Sequence, residues 1–380
     1  MKLLIAGDFC PNQRVKSLIL EDNYLPVFEE ISPLIAESDY NLLNLECPVF
    51  DENNVVKEKK HGPCLGFKTK TVDVIKNIGF NCVTLANNHF RDYGDLGVNS
   101  TIAILDKHGI DHVGGGRNLY EARKILYKNI NNIIVAFINV CEHEFSIASD
   151  INGGSNPLST IGVYYDIQEA KKITSNIIIL VHGGHEQYQL PSPRMKQLYH
   201  FFIDCGARIV INNHQHCFSG YEEYNKGLIF YAIGDFCFDF VKQDIISYYG
   251  YLIQLEFTHN DKISYKLFPY TECLGEPKIR LLKDKVQIDF EKKLEALNAI
   301  ISSDKLLKEN FDKYAIKNIS VLRYLMAPYS NRIMRKLCSM GLLPAFMSER
   351  RMLHLLNYVE CESLRDVLFK SLKKKIYKNL

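Results

Sequence analysis

Strong charge of one sign is missing from this 380-residue chain: 46 Lys and Arg stand against 44 Asp and Glu, a net charge of +2. No global field therefore selects for nucleic acid, and no nucleic-acid partner is expected. Long apolar runs are missing too. The first run ends at Asp8, too short for the apolar region of a secretory signal, and no later run approaches the roughly 18 residues of a membrane helix. The expectation is a cytoplasmic protein. Eleven cysteines are present but no C-x-x-C pair, which removes the usual zinc-ribbon and thioredoxin-like motifs. Cys82 and Cys205 lie in apolar surroundings and read as reduced core residues. What remains is 47% hydrophobic and 24% charged, ordinary for a soluble globular chain. The length suits one large domain with an extension, or two domains.

Short apolar runs recur at 3–7, 42–46, 82–87, 133–140, 177–182, 209–214 and 228–234. Most are continuously apolar, as expected of strands buried on both faces. Helical spacing separates several of them, at 71–78, 96–108 and 194–205. Alternation of strand and helix predicts an α/β layered sandwich, a β-sheet core flanked by helices. Residues 251–257 and 263–270 alternate more and predict an antiparallel pair turning at Asn260-Asp261. Past about 280 strand signals vanish, and leucine, lysine and aromatic residues recur at helical spacing. This places a boundary near 275: a domain over 1–275 and an α-helical C-terminal extension over 276–380.

The chemistry lies in how the apolar runs end. Ligands in open α/β sheets bind outside the carboxyl ends of strands. Here those ends read Gly7-Asp8, Asn44-Leu45-Glu46, Asn87-Asn88-His89, His182-Gly183-Gly184-His185-Glu186, Asn212-Asn213-His214-Gln215-His216 and Gly234-Asp235. Any one of these is ordinary for a turn or a helix cap. Together they supply carboxylates, an amide oxygen and imidazoles, the mixed set that borderline divalent metals accept. Asp8, Glu46, Asn88, His182, His214 and His216 are the candidate ligands. Six exceed the need of one four-coordinate ion and suit two divalent ions, Mn, Fe or Zn, sharing a bridging carboxylate. Such pairs activate water and stabilise a leaving oxygen in phosphate-ester hydrolysis. His89 would then be the proton donor and Asp92 its orienter.

In this order, "GD", "LNLE", "ANNHFRDYG", "VHGGHE", "NNHQH" and "YAIGDF" resemble the CapA family, named for capsule and poly-γ-glutamate biosynthesis. That family resembles the calcineurin-like metallophosphoesterases. "GIDHVGGGRNLYEAR" is similar to the family's G-x-G-R-N segment. The resemblance covers roughly residues 1–270 and omits the extension. It implies that Asp8 matches the first metal ligand and that Glu46 stands where metallophosphoesterases usually carry a bridging Asp. It also implies Asn88 and His89 as the Asn ligand and catalytic His, His182 as a later His ligand, and His214 and His216 as the paired histidines serving one metal each. The chain departs from the pattern as well. Asp8-Phe9-Cys10 lacks the His of the common D-x-H, so Cys10 is either a thiolate ligand or a core cysteine. Asp235 stands for a common Asn, Asn213 for a common His and Asn212 for a common Gly.

Other residues stay open between two readings. Gly114-Gly115-Gly116-Arg117-Asn118 is an anion cradle or a tight strand-to-helix turn with Asn118 as cap. Arg117 and Asn87 are candidate substrate contacts, and Glu186 and Asp235 candidate outer partners of the ligands. His61 and Lys68 line the cleft or belong to a solvated loop. The terminal lysines 370, 373–375 and 378 form a solvated helix face or attract anionic lipid. In the second case the chain sits peripherally at the inner membrane, beside membrane-associated capsule-synthesis proteins. The functional expectation is a metal-dependent hydrolase, of phosphoesterase type, acting on a polymer precursor or phosphoester in surface-polymer biosynthesis. The alternative is an accessory subunit of a polymer-synthesis complex with weak or no catalysis.

Overall fold

In β1 (Lys2–Phe9) every residue from Leu3 onward is buried. Side chains of a strand alternate between faces, so Leu3 and Ile5 enter one core while Leu4 and Ala6 enter another. A strand with two apolar faces must lie between two layers, and the rest of the chain supplies them. The computed structural model describes all residues except 54, 241–243, 259–261, 321–323, 325–326, 345–347 and 377–380, and of 362, 370 and 373–376 it describes the backbone only. The expected turn at Asn260-Asp261 and Lys378 lie outside the described residues, as do the side chains of lysines 370 and 373–375.

After β1 come α1 (Gln13–Leu20), α2 (Leu25–Phe28), α3 (Ser32–Glu37), β2 (Tyr40–Leu45), α4 (Lys70–Asn77), β3 (Cys82–Thr84), α5 (Gly94–His108), β4 (Asp111–Val113), β5 (Gly115–Gly116) and α6 (Leu119–Ala122). The middle of the chain adds β6 (Leu126–Ile130), β7 (Ile133–Cys141), β8 (Gly154–Ser155), α7 (Thr160–Ala170), β9 (Ile177–His182), α8 (Pro193–Cys205), β10 (Ile209–Asn213), β11 (Tyr221–Tyr224), β12 (Gly227–Phe230) and β13 (Asp235–Cys237). Then follow β14 (Tyr249–Phe257), β15 (Ile263–Glu272), β16 (Ile279–Leu281), α9 (Asp284–Ile301), α10 (Asp304–Lys317), α11 (Arg332–Ser339), α12 (Glu349–Glu360) and α13 (Glu362–Ile376). No helix of the described residues is long and apolar enough to cross a membrane.

Two large sheets form. The first runs β16-β15-β14-β1-β2-β3-β4, with β13 also beside β1; the second runs β11-β12-β10-β9-β7-β6. The β1-β2-β3-β4 and β7-β9-β10-β12 stretches are parallel; helices make the crossovers that parallel pairing demands, except between β10 and β12, where β11 makes the connection. Between the sheets Tyr40 of β2 stacks on Phe137 of β7, ring centroids 6.1 Å apart. Helices α1, α4 and α5 bury Val15, Ile19, Val72, Ile75, Ile102 and Leu105 on the outer face of the first sheet. α7, α8 and α9 add Ile167, Phe202, Phe290 and Leu294 to the core of the second. The architecture is thus the α/β sandwich with helical flanks. Helix α8 begins where Pro193 offers no N–H and Ser192 Oγ accepts the Met195 N–H at 3.2 Å.

The first compact unit runs Met1–Lys308, well past the boundary expected near 275, and the second is Glu309–Leu380. Two elements explain the difference. β16 pairs with β15 but is too short to show alternation. α9 buries Phe290, Leu294, Leu297 and Ile301 along one stripe, and its Asn298 side chain accepts the Tyr221 N–H at 2.7 Å. Its helical period is visible in the sequence, but its allegiance to the first unit is not.

One close approach positions the site. β13 lies so near β1 that a Cβ on Gly7 would stand 1.8 Å from the Gly234 carbonyl oxygen. Backbone cannot give way as a flexible side chain can, so Gly7→Ala is expected to cost about 3 kcal/mol or more, the upper end of overpacking. Urea denaturation measures it, and a change within about 0.5 kcal/mol, the range of neutral surface changes, would contradict the tight crossing.

Candidate metal centre

The strand ends converge. Asp8, the last residue but one of β1, pairs in register with Asp235 of β13. Glu46 follows β2, its N–H donating to Phe9 O at 3.1 Å. Beyond β3 the chain leaves the sheet at once: Ala86 N–H donates to Asn139 Oδ1 at 2.7 Å and Asn87 N–H to Ser155 Oγ at 3.2 Å. These bonds tie the Asn88-His89 loop to β7 and β8. His182 closes β9 and His214 follows β10. His214 and His216 have φ of 99° and 51°, a region unusual for residues with a Cβ and often held at functional sites. The His214 N–H donates to Asp8 Oδ2 at 3.1 Å, joining the two sheets' ends.

Among the described residues, two donor groups result. Glu46, His182 and His214 each offer an atom within 4.8 Å of the others, and so do Asp8, Glu46 and His216. Glu46 belongs to both. Asn88 Oδ1 lies 3.0 Å from His182 Nε2, and that nitrogen lies 3.1 Å from His214 Nδ1. Asp8 Oδ1 accepts from Asn44 Nδ2 at 2.7 Å. His216 Nδ1 lies 2.8 Å from Asp235 Oδ1, the outer carboxylate contact that fixes which nitrogen a ligating imidazole presents.

The residues fit a pair of cations. Both oxygens of Glu46 are buried and, among the described residues, have no hydrogen-bond partner, a costly state for a carboxylate unless a cation or proton compensates. Burial, then the Asp8 charge, pushes the Glu46 carboxyl well above its usual range. Burial and Asp235 raise Asp8 to about 7. Burial moves His182 well down and takes His214 to about 3. Burial alone would lower His216, but Asp235 and Glu46 raise it to about 10. A cation entering at Asp8 or Glu46 therefore competes with a proton, while His182 and His214 are neutral at pH 7 and ready to ligate.

A pH dependence follows with a definite sign. A cation must displace the Asp8 proton, which is largely present below about 7, so apparent affinity rises with pH. Asp8 ionises at a higher pH folded than unfolded, so the metal-free protein loses that stabilisation as pH rises from the ordinary carboxylate range toward 7. The increase in melting temperature on adding Mn²⁺ is expected to grow from about pH 6 to about pH 8. Fluorimetric melts with and without the ion measure it, and a flat or falling increment would contradict proton displacement.

A second cluster adjoins the donors. His89 Nδ1 lies 2.7 Å from Asp92 Oδ2, which also accepts the Leu65 N–H at 2.7 Å. Asp92 Oδ1 forms an ion pair with Lys60, whose Nζ is 3.2 Å from His89 Nδ1. Asp92 is wholly buried and His89 nearly so.

The other candidates fall as follows. Asn87 is fully buried; its side chain donates to Leu45 O at 2.9 Å and accepts the His89 N–H at 3.1 Å. It braces the loop rather than facing a substrate. Arg117 is exposed and pairs with Glu121. Asn118 caps α6 by accepting the Glu121 N–H at 2.9 Å, and a Cβ on Gly116 would meet Ala122 N at 2.2 Å. The glycine run is therefore a packed strand-to-helix turn. Glu186 is exposed and its charge acts on Glu144, whereas the described hydrogen bonds of His182 go to Asn44, Asn88 and His214. Cys10 is buried in the apolar core. Burial and Cys47 push its thiol up, and it belongs to neither donor group. His61 is exposed, and Lys68 donates to Asp51 O at 2.8 Å, so both serve a loop.

Three residues of the site carry little signal in the sequence. Asn44 is one of two asparagines in β2, and its position between Asp8 and His182 is not deducible from that. Glu144 lies 3.6 Å from His214 Nε2 and hydrogen-bonds the Asn88 side chain; the strand-end rule applied to 133–140 reaches it. Lys60 sits in a charged loop, "KEKKHG", with no local signal.

A two-sheet α/β sandwich with a shared carboxylate between two donor groups defines a candidate binuclear metal centre. Residues 2–240 match the family described as bacterial capsule synthesis protein PGA_cap, and the chain belongs to that family. It is 32% identical over 247 residues to the capsule biosynthesis protein CapA of Bacillus anthracis, covering 63% of this chain and 60% of that protein. It is 31% identical over 240 residues to the PGA biosynthesis protein CapA of Bacillus subtilis, covering 62% of each. A probable polyglutamine synthesis accessory protein of Mycobacterium tuberculosis is 23% identical over 216 residues, covering 53% of this chain and 56% of that protein. The chain thus spans about three-fifths of the length of the curated relatives it matches. Among solved structures, TT1561 of Thermus thermophilus aligns at 10% identity and a TM-score of 0.36, covering 70% of this chain and 97% of that one. A likeness that loose carries no functional weight.

Proposed function

We propose that this chain is a metal-dependent hydrolase of phosphoesterase type, working in the synthesis of a bacterial capsule or related surface polymer. The observation that carries the reading is Glu46, buried with no hydrogen-bond partner on either oxygen among the described residues and common to both donor groups. Glu46, His182, His214 and Asn88 would hold one divalent ion, and Asp8, Glu46 and His216 the other. Such a pair supplies an activated water and a Lewis acid for the leaving oxygen. The chain's own part is positioning and proton transfer. Asp92 orients His89 through Nδ1, leaving Nε2 to deliver a proton to the leaving group. Lys60 keeps Asp92 from being a lone buried charge. Asp235 holds the His216 ring and Asn44 holds Asp8.

Activity against generic phosphomonoesters and phosphodiesters, after chelation and resupply of Mn²⁺, tests the proposal. Hydrolysis should vanish with the chelator and return with the ion; absence of hydrolysis in the fully loaded protein would overturn it. A second reading, an accessory subunit with weak or no catalysis, is favoured by one observation: Cys10 lies in the core, so the first donor loop supplies Asp8 alone. The accessory label of the mycobacterial relative agrees with that reading.

A further inference from the structure

The family match ends at residue 240, so the second compact unit lies outside it and calls for its own account. Its charge is unlike that of the rest. Residues 309–380 hold 14 Lys and Arg against 6 Asp and Glu, whereas residues 1–308 hold 32 against 38. The net +2 of the whole chain conceals an acidic body and a strongly basic tail. Charge asymmetry of that kind points to an anionic partner surface.

Apolar residues of α12 and α13 are also misplaced for a core. In α12 no described residue is buried, and Met352, Leu353, Leu356 and Val359 are 39%, 59%, 49% and 52% exposed. At 100° per residue these four span an arc of about 120°. Arg350 and Arg351 fall on its two opposite flanks, and Glu349 and Glu360 mark its ends. In α13, Arg365, Phe369 and Leu372 share one face, with the two apolar residues more than half exposed. An apolar stripe edged by cations on a short helix is the arrangement of a segment lying in a membrane interface, with its stripe at the acyl boundary and its cations at the headgroups.

We propose that residues 309–380 form a docking unit for an anionic bilayer surface, seated through the Met352–Leu353–Leu356–Val359 stripe of α12 and steered by the basic residues around it. Neither attraction suffices alone. Four exposed apolar side chains give modest partitioning, and basic residues near an anionic leaflet add roughly 1 kcal/mol each, about fivefold in binding. Together they make attachment reversible and dependent on lipid charge. The surface would carry the metal-bearing domain to a membrane.

The test is flotation of the full chain with vesicles of phosphatidylcholine containing phosphatidylglycerol and with vesicles of phosphatidylcholine alone. Binding should be at least roughly tenfold stronger to the anionic vesicles and should weaken as salt rises. Arg350→Glu with Arg351→Glu should lower it by at least roughly fivefold per reversed arginine, since each reversal removes an attraction and adds a repulsion. Leu353→Asp with Leu356→Asp should abolish it. All four residues are exposed, so both pairs should leave the melting temperature and the ion content unchanged. Equal binding to the two vesicle types would overturn the proposal, as would indifference to both variant pairs. So would absence of vesicle binding with a concentration-dependent mass by light scattering that the Leu353/Leu356 variant removes, which would make the stripe a contact between copies of this chain.

Discussion

Glu46→Gln is expected to lose both ions at once while leaving the metal-free protein as stable as the parent, or more so, at neutral and alkaline pH. The two effects share one cause. In the parent the carboxylate has no hydrogen-bond partner on either oxygen among the described residues, and burial holds its carboxyl well above the usual range. Ionising it without a cation is unfavourable, and glutamine removes that cost. Cation affinity moves the other way, because both donor groups contain this residue. Outer partners of metal ligands are worth 10–100-fold in affinity, so loss of the shared ligand should cost roughly 100-fold or more. The stabilisation by a saturating ion, about 2.7 kcal/mol at a hundred times Kd, should disappear with it. Thermal melts with and without Mn²⁺ read both halves. A variant that keeps its Mn²⁺ shift would remove Glu46 from the centre.

His89→Ala is expected to lower kcat by roughly 10²–10⁴, the range of a positioned proton donor, with both ions retained. His89 belongs to neither donor group, so the ions have no reason to leave. Asp92 keeps Lys60 and the Leu65 N–H after the change, so no buried charge is stranded. Asp92→Asn is the poorer probe, because it leaves the Lys60 ammonium without its counter-charge and mixes stability with catalysis. Steady-state kinetics and metal analysis on the same preparation decide the matter. Parent-level turnover in the variant would assign the acid role elsewhere, and a parent protein with no turnover at all would favour the accessory reading.

The strands with continuous apolar runs are legible in the sequence because burial on both faces writes itself into composition. Runs 3–7, 42–46 and 177–182 correspond to β1, β2 and β9. The short strands are not legible: β13 has three residues and β16 three, too few for a period to register. Their positions matter all the same, since β13 brings Asp235 to His216. Within the site, residues that close apolar runs can be found by that rule. Lys60 cannot, because it reaches Asp92 from a long loop whose path is set by tertiary contacts. The run 82–87 reads as one strand, yet β3 ends at Thr84. The hydrogen bonds that end it come from Asn139 and Ser155, more than fifty residues away in the chain.

The central claim is that Glu46 joins two ion sites. Metal analysis of the full chain, saturated with Mn²⁺ and freed of loose ion, tests it most directly. About two ions per chain are expected in the parent, as in a two-metal centre, and fewer than about one after Glu46→Gln. A parent that holds less than about one ion at saturation, or a Glu46→Gln protein that still holds about two, would contradict it.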